Sequence, residues 1–129
     1  MGKVILVARI LLGLMFFIFG LNGLLQFLHM PMPTGDAGTL MTIMSGHGWL
    51  KFVSVLQVIG GLLLLVGRYV PLGLVILGPI VVNILLYHFL MEPTGMAPGV
   101  LAAVLEIFLI WAYRLSFRGL FDAAPEVSR

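Results

Sequence analysis

Polar residues interrupt otherwise apolar runs of this sequence, among them Arg9, Gln57, Asn83, Tyr87, His88 and Glu106. Asn83 and Tyr87 are four apart and share a helical face, with Pro79 one turn earlier. His88 falls about 140° round from Asn83 at the helical repeat. An amide, a phenol and an imidazole suit hydrogen bonding to the carbonyls of a quinone-like ring, and Gln57 adds a second amide from another run. The competing use for Gln57 and Asn83 is hydrogen bonding between helices.

Arg9 and Glu106 are the two deeply placed charges. Arg9 lies roughly 9 Å along a helix from Lys3, and Glu106 roughly 12 Å from Arg114. A lone charge in a bilayer core costs at least about 2.5–3 kcal/mol. Matched depths therefore point to a buried Arg9–Glu106 ion pair that fixes which helices are neighbours. The other use for Glu106 is as a proton-accepting or ligand-binding carboxylate.

The histidines His29, His47 and His88 come from separate segments without HxxxH or HxxEH spacing, so no metal site is expected. The chain contains no cysteine, which excludes disulfides, thiol nucleophiles, CxxC exchange and covalent haem attachment. No catalytic constellation is evident, and no flavin, nicotinamide or haem motif is present.

The elements that must position these groups are membrane spans. Of 129 residues, 61% are hydrophobic and only 9% charged, too little charge for the surface of a soluble domain. The apolar runs are continuous rather than alternating, which indicates helices and not a barrel. Spans are expected at about 4–27, 49–66, 71–90 and 99–113, making one membrane domain over 1–129. The first apolar run exceeds a signal-peptide core and lacks an A-x-A-like site, so it is expected to be retained. Its Gly13, Gly20 and Gly23 allow close helix approach.

Between the first two spans, the prolines of Met30-Pro-Met-Pro33 stop the helix. Leu40, Met41, Ile43 and Met44 then have helical spacing, with Asp36 as the expected N-cap of a short interfacial helix. Four spans put both termini on one side. That side collects Lys3, Arg9, Arg68, Arg114, Arg118 and Arg129, against Lys51 on the other. The imbalance predicts cytoplasmic termini in a bacterial-type inner membrane. On such a chain the basic pI near 9.4 reports topology, not nucleic-acid binding.

Four stretches, in this order, resemble the DoxX-like family of small four-helix membrane proteins. They are Ala8–Gly20 (with Arg9), Val55–Leu64 (with Gln57), Gly78–His88 (with Asn83) and Leu105–Arg114 (with Glu106). The family often has Glu where this chain has Gln57, which removes one titratable group. The resemblance implies an all-α, integral membrane four-helix bundle that partners redox systems such as thiosulfate:quinone oxidation or oxidative-stress complexes. Thiol-redox roles of the wider grouping do not transfer to a chain without cysteine.

The expected function is thus an accessory or ligand-binding membrane partner of a redox system, not an autonomous enzyme. The alternatives are a quinone-reactive subunit of an oxidoreductase and a small lipid or solute transporter. Expected partners are membrane lipids, a redox protein or quinone, and a second copy of the chain, since two-fold symmetry is the commonest closed form. Quinone is the one cofactor to consider. Its pocket would lie beside Pro79, Asn83 and Tyr87, approached by Gln57 and capped by Leu40–Met44.

Overall fold

The computed structural model describes residues 1–28 and 31–128. Those residues form α1 (Gly2–Leu25), α2 (Gly35–Gly46), α3 (Trp49–Val66), α4 (Val70–Leu90), α5 (Met96–Ala112) and a 3-10 helix (Arg114–Phe121). Three helices, α1, α3 and α4, are long and apolar enough to cross a membrane. A fourth span exists if α5 is counted with the 3-10 helix, which bends away from it by 82°.

Local chemistry sets the helix ends. α1 stops at Leu25, two residues short of the sequence expectation, because Gln26 turns left-handed at φ 54° and its N–H bonds the Asn22 carbonyl. The Asn22 side chain then accepts the Leu28 N–H at 2.7 Å, so this amide is spent on termination. Asp36 is not the cap of α2. That position belongs to Thr34, and Asp36 sits in the first turn, where its charge meets the positive helix end.

Gly67, at φ 80°, closes α3, and only Arg68 and Tyr69 intervene before Val70 opens α4. So short a connection makes α3 and α4 antiparallel neighbours. α5 begins at Met96 rather than Gly99. Pro98 is tolerated there because the first four N–H groups of a helix have no partner to lose.

α1 packs on α3, α3 on α4, α4 on α5, and α5 closes back on α1. α3 and α5 lie across this ring from one another. α2 packs against α3. The centre is leucine: Leu12, Leu64, Leu74, Leu77 and Leu109 are fully buried.

Glycine makes the tightest pair possible. A Cβ on Gly61 would lie 2.6 Å from the Phe17 nitrogen and 2.8 Å from the Gly13 carbonyl oxygen, so α1 and α3 touch backbone to backbone. Gly20 and Gly23 continue the seam against Ser54, which is itself buried.

Candidate functional site

α5 turns Gly99, Ala102, Glu106 and Leu109 inward, at steps of three and four. Three of these are small or apolar; the fourth is a carboxylic acid. Glu106 is 4% exposed and neither carboxyl oxygen has a hydrogen-bond partner among the described residues. Ala102 and Leu109, which share its face of α5, belong to the apolar core of the bundle. Buried polar atoms are nearly always satisfied, and leaving one unpaired costs about 1–3 kcal/mol, more for a charge.

The expected partner does not supply that bond. Arg9 shares a face of α1 with Gly13 and Gly20, and this is the face that packs on α3. Its guanidinium therefore reaches the end of α3, where a Cβ on Gly67 would overlap it. Partial negative charge on the last carbonyls of a helix favours a cation at that place. The Arg9–Glu106 pair expected from depth is corrected on this ground. Depth was matched, but the two side chains leave their helices toward different neighbours.

Gln57 is half-buried, three residues past buried Ser54 and three before buried Gly60, so it belongs to the inward stripe of α3. It lies eight residues past Trp49, roughly 12 Å, and Glu106 ten past Met96, roughly 15 Å, on helices that start at the same end. An amide and a carboxyl thus face the ring interior at similar levels from opposite sides.

The α4 group is not brought together with them. Asn83 is exposed on the outer surface, one turn above exposed Pro79, and its Nδ2 donates to the Pro79 carbonyl at 3.0 Å. With no neighbouring helix among the described residues to bond to, this amide finds its partner on its own helix. His88 turns to the α4–α5 connection, its Nδ1 lying 3.0 Å from the Glu92 carbonyl and 3.1 Å from the Thr94 carbonyl. Two acceptors there mean that Nδ1 carries the proton. Tyr87 stands edge-on to His88, ring centroids 5.1 Å apart, and is half-buried. Asn83 and His88 are thus each engaged locally, one by its own helix and the other by the α4–α5 connection.

An open recess of about 500 Å³ instead lies along α2, lined by Met32, Pro33, Thr34, Gly38, Thr42 and Ile43 among others. Its Thr42 hydroxyl is already bonded to the Gly38 carbonyl at 2.9 Å. Of the other histidines, His47 is exposed just past α2, and His29 lies outside the described residues.

No family model and no solved structure matches the chain. It is similar to the uncharacterized protein YwoB of Bacillus subtilis (strain 168), with 30% identity over 129 residues, spanning 94% of this chain and 84% of the relative.

Proposed function

The chain belongs to the family of that Bacillus protein; from the four stretches around Arg9, Gln57, Asn83 and Glu106 that resemble DoxX-like proteins, we propose that it is a DoxX-like, four-span inner-membrane bundle that binds a ligand for a redox system. α1, α3, α4 and α5 are its spans, both termini are cytoplasmic, and α2 lies at the opposite interface. The observation that carries the reading is Glu106, buried and without a hydrogen-bond partner among the described residues. An ionisable group held inside a membrane bundle is costly, and its usual reason is a bound partner or a transferred proton. The carboxyl would accept a hydrogen bond or cation from a mostly apolar ligand, with Gln57 offering donors across the ring. The protein acts as an accessory component; the redox chemistry belongs to its partner.

A quinone site made from Asn83, Tyr87 and His88 has less support, because Asn83 is exposed and His88 is engaged by the turn. Mass spectrometry of small molecules copurified with wild type, Glu106→Gln and Gln57→Leu tests the proposal. A species carried by wild type and lost from both variants supports it. Equal content in folded variants, or nothing bound to wild type, refutes it. Reporter fusions at the C-terminus and in the 31–34 connection should give opposite signals. A C-terminal fusion reading extracytoplasmic sinks the topology.

A further inference from the structure

The end of the ring that carries Lys3, Arg68 and Arg114 is closed by the 3-10 helix Arg114–Phe121, sequence Arg-Leu-Ser-Phe-Arg-Gly-Leu-Phe. In a helix of three residues per turn, side chains three apart eclipse. Arg114, Phe117 and Leu120 form one edge, Leu115, Arg118 and Phe121 a second, and Ser116 with Gly119 the third. Phe117 is buried in the bundle core and pins the segment in place. Leu115, Leu120 and Phe121 have no such cover and are 75%, 73% and 84% exposed. The helix is thus apolar and basic on two edges and small and polar on one.

Its direction matters as much as its faces. An 82° bend from α5 lays the segment almost in the plane of a bilayer that α5 crosses. Arg114 is held at the bend, its Nη1 donating to the Trp111 carbonyl at 2.9 Å and its guanidinium 4.7 Å from the Trp111 ring centre. Trp and Arg together are the usual furniture of a membrane interface. Arg118, Arg68 and Lys3 are exposed at the same end. The nearest acid, Asp122, is turned to its own backbone, accepting the Ala124 N–H at 3.0 Å.

We propose that this helix lies in the interface of the leaflet at the basic end, with Leu115, Leu120 and Phe121 inserted and Arg114 and Arg118 binding anionic phospholipid headgroups. An amphipathic segment gains from buried apolar area and from attraction to anionic lipid together. Ser116 and Gly119 then face water. The inference rests on the membrane-spanning reading proposed above, and the experiment separates the two.

The chain has no cysteine, so a single introduced thiol carries an environment-sensitive fluorophore cleanly. Full-length Phe121→Cys, Leu115→Cys, Ser116→Cys and Val82→Cys proteins are labelled. Each is reconstituted in vesicles of phosphatidylcholine, or of phosphatidylcholine with phosphatidylglycerol, with brominated lipid as quencher. Labels at 121 and 115 should be blue-shifted and quenched, and the label at 116 should remain in water. Phosphatidylglycerol should raise the apparent affinity of the segment for the leaflet on the order of tenfold. That gain should vanish in the Arg114→Gln, Arg118→Gln variant or at high salt, and survive in Arg114→Lys, Arg118→Lys, which keeps both charges.

A label at 121 as wet as that at 116, or a depth indifferent to phosphatidylglycerol, overturns the inference. If the label at Val82 on α4 is in hydrocarbon in either case, the spanning reading stands alone. A Val82 label in water overturns both.

Discussion

Replacing Gly61 by alanine is the sharpest test of the packing of α1 on α3. The added methyl would lie 2.6 Å from the Phe17 nitrogen, 2.8 Å from the Gly13 oxygen and 3.1 Å from the Phe17 Cα. All three are backbone atoms, so no rotamer change makes room and α1 must move off α3. Restoring ordinary contact at about 3.5 Å asks for a shift of roughly 0.5–1 Å, which forfeits a quarter to a half of each pairwise attraction along the seam. Overpacking of this kind costs about 1–3 kcal/mol.

Alanine also favours helix over glycine by up to about 1 kcal/mol, and a control removes that contribution. At Gly78, also within a helix, an added Cβ meets nothing within 4 Å. Gly61→Ala should therefore be about 1–3 kcal/mol less stable than Gly78→Ala. Gly60→Ala should also be less stable than Gly78→Ala, since its Cβ would lie 2.7 Å from the Cγ of Leu77, a side chain fully buried in the core. Reversible unfolding in mixed micelles, followed by circular dichroism, gives the ranking. Gly61→Ala as stable as Gly78→Ala would refute the backbone-to-backbone contact of α1 with α3.

Glu106→Leu should raise stability by about 1–3 kcal/mol, because it removes an unsatisfied buried group from an apolar core; a loss of stability in the same unfolding assay would reveal a partner for the carboxyl. Gly67→Ala should cost about 1–2 kcal/mol for left-handed backbone alone, more with Arg9 against it. A double-mutant cycle with Arg9→Ala should recover part of that loss, and strict additivity would mean that the two do not touch. His88→Ala should loosen the α4–α5 turn by about 1 kcal/mol, seen as faster amide exchange at Glu92–Gly95, and unchanged exchange would deny the clamp.

The sequence alone determined the class of the protein and the extents of its helices to within a few residues. A continuous apolar run satisfies its own backbone as a helix whatever its neighbours, and Gly67, the prolines near 31–33 and the turn at 93–95 punctuate the runs locally. It also singled out Glu106, since a charge in such a run stands out without any structure. Facing directions were not legible. In an amphipathic helix a polar stripe marks the outside, but these helices are apolar on nearly every side and carry almost no periodic signal of which side is in. Asn83 therefore read as inward and stands outward, bonded to Pro79. Arg9 and Glu106 matched in depth, yet one follows the glycine seam to the end of α3 and the other points into the leucine core. Only the packing of the helices decided those directions, because contact between backbones depends on where glycines from two distant segments meet, and no single segment encodes that meeting.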